Sequence, residues 1–210
     1  MPNQPPSTCN GLAAGFVGGN YFDKYRSNNP IHQWLMRGFL RNARELLSMI
    51  KFDSVLEVGC GPGDLAANIF PNCVGYMGLD IDEHQVGLAR SRYPDGAFSV
   101  GSAYQLPFVT DSFDLVVACE VFEHLDNPDK AINELARVSK RWGLVSVPWE
   151  PVWRVLNMAR GKYWSAYGNT PGHVQQFSRK AIRQLCNTHY RIKKERNPFP
   201  WTMILLEKAE

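Results

Sequence analysis

The chain has 210 residues, 44% hydrophobic and 20% charged, the proportions of one folded domain and not of a disordered chain. At this length roughly 70% of the unfolded surface can be buried, so a full core needs neither disulfides nor a structural metal. The 23 Lys and Arg against 20 Asp and Glu leave a net charge of +3 with no basic stripe, which disfavours a large nucleic acid as partner.

Residues 1–18 carry Pro2, Pro5 and Pro6, and no basic run precedes the apolar stretch Leu12–Gly18. They read as a flexible arm and not as a secretory signal. From Asn29 and Pro30 the pattern turns helical, with Ile31, Leu35, Phe39, Ala43, Leu46 and Ile50 on one stripe, which predicts an amphipathic helix over 30–50 ahead of the main fold. Short β-branched runs then alternate with helical stretches. Strands are predicted at Ser54–Val58, Gly75–Asp80, Ala97–Val100, Phe113–Ala118 and Gly143–Val147, and helix starts at Asp64, Asp82, Asn127-Pro128 and Ser178. This order describes an α/β doubly wound sheet, parallel through its first five strands. Tyr190–Arg196 and Trp201–Lys208, joined by a turn at Asn197–Pro200, add an antiparallel hairpin at the edge and bring the sheet to seven strands. The chain therefore reads as one domain over 19–210, with a segment inserted at 149–177. No apolar run reaches the roughly 18 residues of a membrane span. Cys9, Cys60, Cys73, Cys119 and Cys186 are scattered and form no CxxC pair, so neither a disulfide framework nor a cysteine zinc site is expected, and a reducing cytosol is the expected compartment.

The sharpest signal is the run Val55–Asp64, in which a buried strand leads into Gly59, Gly61 and Gly63 and then a helix start. Glycines there let backbone approach a ligand where any side chain would block it. The spacing is GxGxG followed by Asp64, not the GxGxxG of dinucleotide oxidoreductases, which disfavours hydride transfer. Asp80 ends the second strand, where a carboxylate can accept hydrogen bonds from the ribose hydroxyls of a nucleoside ligand.

On Val55–Asp64, Gly78–Asp82, Val100–Ala103 before Leu106-Pro107-Phe108, and Phe113–Val117, the chain resembles the class I S-adenosylmethionine-dependent methyltransferases. Within them it is similar to the subfamily containing the ubiquinone-biosynthesis O-methyltransferases. The resemblance implies a Rossmann-like fold and S-adenosylmethionine as cofactor. It implies that Glu57, Gly59 and Gly61 surround the methionine part, Asp80 the ribose and Ile81 the adenine face, with the Ala103 amide at the ring edge. Cys60, Gly63, Ser102 and Cys119 complete the implied cofactor lining. Ser102 departs from the acidic residue that many relatives carry there, and Arg141-Trp142-Gly143 replaces the usual Pro-Gly-Gly turn before strand five.

Methyl transfer from a sulfonium is an in-line displacement that needs positioning, and needs a base only where the acceptor loses a proton. Glu120, Glu123 and His124 stand at i, i+3 and i+4, where a helical turn would aim all three to one side, and a second histidine, His173, follows in the turn 169–174. Two Glu and two His can hold a divalent ion such as Mg, Mn or Zn. The set Glu120, Glu123, His124 and His173 looks like that of metal-dependent ubiquinone-pathway and small-RNA 2′-O-methyltransferases. The alternative is metal-free, with His124 or His173 as general base. A third reading is a purely structural network. His32, His84 and His189 are expected at the surface.

Trp142, Trp149, Trp153, Tyr163, Trp164 and Tyr167 crowd together with Arg154, Arg160 and Lys162. With Tyr21, Phe22 and Tyr25 they suggest a lid over an apolar or ring-bearing acceptor such as an isoprenoid, a phenol or a natural-product scaffold. Such residues could also rest on a membrane surface, stack on RNA bases, or simply pack the insert onto the sheet. The expectation is O-methylation of a small-molecule or lipid acceptor. An RNA 2′-O-methyltransferase and a non-catalytic cofactor-binding module are the alternatives.

Overall fold

The computed structural model describes residues 25, 27–71, 75–150, 152–159, 161, 167 and 172–209; the arm expected over 1–18 lies outside them. Helix α1 (Pro30–Leu47) starts where the Asn29 side chain accepts a hydrogen bond from the Ile31 N–H (2.9 Å) and Pro30 occupies the first turn. Its buried face is Met36, Phe39, Ala43, Leu46 and Leu47, so two corrections apply to the expected stripe. Ile31 is 66% exposed because core contact begins only at Leu35 and Met36, and the helix ends at Leu47, short of Ile50.

The main fold follows as β1 (Ser54–Val58), α2 (Asp64–Ile69), β2 (Gly75–Asp80), α3 (Glu83–Arg92), β3 (Ala97–Val100) and β4 (Phe113–Cys119). A 3₁₀ turn at Phe122–His124 precedes α4 (Pro128–Val138) and β5 (Ser139–Pro148), and α5 (Val152–Ala159), α6 (Arg179–Cys186), β6 (Tyr190–Arg196) and β7 (Trp201–Lys208) complete the chain. The seven strands run in the order β3-β2-β1-β4-β5-β7-β6, parallel except where β7 pairs antiparallel with β5 and β6. Side chains alternate across the sheet. Val55, Leu115, Val117, Leu144, Met203 and Leu205 pack with α1, α2 and α3. Leu56, Val58, Val116, Val145, Val147, Ile204 and Leu206 pack with α4 and α6. Both faces are therefore covered, as a largely parallel sheet requires. Among the described residues no helix is long and apolar enough to cross a membrane.

Strand β5 begins at Ser139, four residues before the expected start, because Phe113 and Leu115 of β4 pair with Ser139 and Trp142 across a register shift. Arg141, Trp142 and Gly143 are thus part of the strand and not a turn. Trp142 is consequently placed near the amino end of β5, opposite Glu207, with the Arg141 guanidinium 4.6 Å from its ring. It takes no part in a lid at the carboxyl ends.

Asp114 ties the amino ends of β1, β4 and β5 together. Its Oδ2 accepts from the Asp53 N–H (3.0 Å), the Ser54 N–H (2.9 Å) and Ser54 Oγ (2.9 Å), and its Oδ1 accepts from Lys140 Nζ (2.8 Å). The Lys140 ammonium and these donors hold the carboxyl well below the usual carboxylate range. A depressed folded value means that its stabilisation is present above about pH 4, the unfolded value, and is lost as pH falls through the folded one. Asp114→Asn should lower stability at pH 7 by about 1–3 kcal/mol, or about 2–12 °C in Tm. The gap from the parent chain should narrow below about pH 4 in thermal melts.

Candidate active site

The strand order reverses between β1 and β4, so the connections leave these neighbours in opposite directions and their carboxyl ends border an open crevice. On the β1 side the chain enters a loop in which Gly59, Gly61 and Gly63 all have positive φ (75°, 51° and 82°). A Cβ on Gly59 would run into Val121, and one on Gly63 would come within 2.8 Å of the Tyr93 ring. The loop is stitched to the end of β2. Gly59 and Cys60 N–H donate to the Leu79 carbonyl (2.7 and 3.1 Å), and Gly61 N–H donates to Asp80 Oδ2 (2.8 Å). Asp80 Oδ1 accepts from the Asp82 N–H (2.9 Å). The carboxylate keeps acceptor capacity for a ligand hydroxyl.

Glu57, one strand residue before the loop, is buried and accepts a hydrogen bond from the Tyr76 hydroxyl (2.6 Å). Burial pushes its carboxyl up to about 8, against the pull of the Tyr76 bond, and burial also raises Asp80. Burial drives the Cys60 thiol upward as well, so it stays protonated and behaves as a small buried residue. Beyond β3, the Gly101 N–H donates to the Asp80 carbonyl (2.9 Å) and Ser102 Oγ accepts from the Tyr104 N–H (3.2 Å). The Ser102 hydroxyl therefore organises its own turn. Arg137 holds the loop beyond it, donating to the carbonyls of Leu106 (2.9 Å) and Phe108 (2.7 Å). Ile81 and Ala103 are half-buried along this edge.

On the β4 side, the expected helical turn over Glu120–His124 is shorter than the spacing suggests. Cys119 ends the strand half-buried, and Glu120 adopts a left-handed conformation (φ 61°), so only Phe122–His124 forms a turn. Glu120 therefore parts from Glu123 and His124. Its Oε2 accepts from Trp201 Nε1 (2.6 Å) and its Oε1 from Ser146 Oγ (3.4 Å). The structure does bring Glu123, His124 and His173 together: one donor atom from each lies within 4.8 Å of the others. The Glu123 carbonyl accepts from the N–H groups of Val174 (2.8 Å) and Gln175 (3.0 Å), which delivers His173 to the turn. His124 Nδ1 lies 2.9 Å from the Gly172 carbonyl. A carbonyl only accepts, so Nδ1 carries the proton and Nε2 is the lone-pair nitrogen of the neutral ring. His32, His84 and His189 join no such group among the described residues.

The His173 ring meets His124 edge-on (5.1 Å between centroids) and lies nearly parallel to Trp153 of α5 (6.5 Å). Trp149 is capped by the Arg179 guanidinium at 3.8 Å. Tyr25 packs on the same core as Cys119 and Trp153, and burial raises its phenol well above the ordinary value, with Cys119, Glu57 and Glu120 adding to the effect. Arg154 donates to the Tyr167 carbonyl (2.8 Å). Tyr21, Phe22, Arg160, Lys162, Tyr163 and Trp164 lie outside the described residues. Sequence reasoning missed Trp201 and Tyr76. The turn at 197–200 was the available signal for Trp201, since it puts that residue first in a strand antiparallel to β5.

Residues 56–147 match the methyltransferase domain family. An O-methyltransferase of Aspergillus nomiae is 32% identical over 145 residues, covering 66% of this chain and 64% of that protein. A demethylmenaquinone methyltransferase of Thermotoga maritima is 32% identical over 101 residues, covering 47% of this chain and 44% of that protein. The chain thus spans less than two thirds of the length of these relatives. The solved structure of magnesium protoporphyrin IX methyltransferase from Synechocystis PCC 6803 with bound SAH shares the fold, with a TM-score of 0.68, 16% identity, and coverage of 89% of this chain and 94% of that one. The matches and the site define residues 56–147 as a methyltransferase domain of the class I, S-adenosylmethionine-dependent kind.

A carboxyl held near 8 is protonated at neutral pH, and a cation bound beside it favours the ionised form. On the proposal that Glu57 lines the cofactor site, binding of S-adenosylmethionine at pH 7 should release a proton from Glu57, and affinity should rise between pH 6 and 8. Calorimetry in buffers of different ionisation enthalpy should show the release, and Glu57→Gln should remove that part of it. Asp80→Ala should weaken binding about tenfold or more, the loss of one charge-assisted hydrogen bond.

Proposed function

We propose that the protein transfers the methyl group of S-adenosylmethionine to an oxygen of a small-molecule or lipid acceptor. The observation that carries this reading is the adjacency, on neighbouring strands β1 and β4, of the glycine loop with Asp80 and the His124–His173 pair. The similarity to an O-methyltransferase of Aspergillus nomiae supports oxygen as the acceptor atom. In the reaction the acceptor oxygen attacks the methyl carbon, the carbon–sulfur bond breaks with its electrons moving to sulfur, and the hydroxyl proton passes to His124 Nε2. Holding the two reactants in line provides much of the acceleration, and general base action typically adds 10²–10⁴-fold. We assign the cofactor lining to Glu57, Gly59, Cys60, Gly61, Gly63, Asp80, Ile81, Ser102, Ala103 and Cys119. Residues 19–210 act as one domain in this reading, with α1 as a cap and 149–177 as an aromatic insert over the acceptor side. The likeness to ubiquinone-biosynthesis enzymes favours an isoprenoid or ring-bearing acceptor. Buried thiols at Cys60 and Cys186 suit a reducing compartment.

A second reading is favoured by the proximity of Glu123, His124 and His173. One carboxylate and two imidazoles fit Zn or Mn better than Mg, and the Gly172 carbonyl on Nδ1 orients His124 as a ligand-bearing ring is usually oriented. An ion held there would lower the pKa of an acceptor hydroxyl. Glu120 belongs to neither version of the site.

Label transfer from methyl-labelled S-adenosylmethionine to metabolite, lipid and total RNA extracts tests the proposal. Label is expected in the metabolite or lipid fraction, and His124→Ala should cut the rate about 100-fold or more at unchanged cofactor affinity. Label in RNA alone would replace the acceptor class. Cofactor binding without transfer to any fraction would leave a binding module. A rate that survives exhaustive chelation supports the metal-free route, whereas loss restored by added Zn or Mn selects the metal-assisted one.

A further inference from the structure

Glu120 lies at the carboxyl end of β4, where the active-site crevice opens, yet its side chain faces away from Glu123 and His124 toward the start of β7. Contacts among the described residues fix it. Its left-handed backbone (φ 61°) is anchored by N–H donation to the Ser146 carbonyl (3.0 Å), and its two carboxylate oxygens take Ser146 Oγ (3.4 Å) and Trp201 Nε1 (2.6 Å). A non-glycine residue held at positive φ beside a functional site is strain that the surroundings must maintain.

Trp201 is buried, pairs with Pro148 at the carboxyl end of β5, and sits at the junction of three elements. Its ring meets Phe39 of α1 edge-on (5.2 Å) and Trp153 of α5 at a tilt (6.1 Å). Trp153 in turn lies nearly parallel to His173 (6.5 Å), and His173 meets His124 (5.1 Å). An indole can slide or rotate on apolar neighbours, because ring contacts of this kind are weak and tolerant of angle. The hydrogen bond from Nε1 to a carboxylate is directional and charge-assisted, and it removes that freedom. Each later ring is then placed against one already fixed.

We propose that Glu120 is a positioning residue, whose carboxylate locks Trp201 and so, through Trp153, holds His173 against His124 on the acceptor side. This rests on the acceptor-side reading of the histidine pair given above. It deprives Glu120 of the catalytic and ligand roles that its spacing in the sequence suggests, and it gives β7 a part in the acceptor site.

The test is the ring-proton and indole N–H spectrum of the full chain at one fixed pH, in the parent and in Glu120→Gln, Glu120→Ala and Trp201→Phe. Trp201→Phe identifies the Nε1 proton, which should be slow to exchange and shifted downfield in the parent. Glu120→Ala should abolish the exchange protection and move the His173 ring protons as the stacking on Trp153 changes, while Glu120→Gln, whose amide oxygen still accepts, should leave His173 close to its parent position. Trp201→Phe should move His173 as Glu120→Ala does, which preserves the test if the alanine variant does not fold. His173 ring protons unmoved in a folded Glu120→Ala or Trp201→Phe chain, or equally displaced in Glu120→Gln and Glu120→Ala, would overturn the proposal. Calorimetry with S-adenosylmethionine on the parent is read separately: failure to bind counts against the methyltransferase reading, and the ring-proton result stands whichever way that falls.

Discussion

Between β1 and β4 the chain changes direction across the sheet, running outward through β2 and β3 before returning to start the other half. The connections after those two strands leave in opposite directions, and the polar groups carried there border a crevice. Everything chemical in this molecule depends on that reversal. It sets the glycine loop after β1 and the Glu120–His124 segment after β4 side by side, although more than fifty residues separate them in the chain. The Asp114 cluster at the opposite end of the same strands makes the pairing rigid, because one carboxylate gathers donors from β1, its preceding residue and β5.

The crevice has an electrostatic character that follows from its burial. Glu57, Asp64 and Asp80 converge on it, and Arg92 approaches Asp64 at 3.6 Å. With Glu57 and Asp80 both pushed upward by desolvation, the crevice resists full ionisation, and a cationic ligand would relieve that resistance. A sulfonium is such a ligand. In the proposed reading, carboxyls whose water has been taken away favour a positively charged nucleoside, with the loop amides and Asp80 supplying shape and hydrogen bonds.

The cofactor half was legible in the sequence because it is local. Gly59, Gly61 and Gly63 must have positive φ for the loop to turn as it does, and a glycine requirement is written directly in the chain. Strand limits for β1, β2 and β3 and the helix starts at Asp82, Asn127 and Ser178 were readable for the same reason, since capping side chains act within three residues. Errors arose where tertiary pairing decided the outcome. Trp142 looked like part of the aromatic cluster by proximity in sequence. The long pairing of β5 with β4 and β7 carries it to the far end of the sheet. Glu120, Glu123 and His124 matched a helical spacing, but one left-handed residue breaks the turn before it starts.

The acceptor half is assembled from distant pieces, and this difference has a functional consequence. His173 reaches His124 through backbone hydrogen bonds from Val174 and Gln175 to the Glu123 carbonyl, and Trp153 and Trp201 come from an insert and from the last strand. None of these segments contributes to the glycine loop. A fold built this way can vary the insert and the hairpin with little effect on the glycine loop, because the loop amides bond to Leu79 and Asp80 at the end of β2. In the proposed reading the short local motif sets the chemistry, and the long-range aromatic contacts select what is brought to it. Substitutions in the second set should therefore act on the acceptor before they act on the cofactor, and the hydrogen bond between Trp201 and Glu120 belongs to that second set.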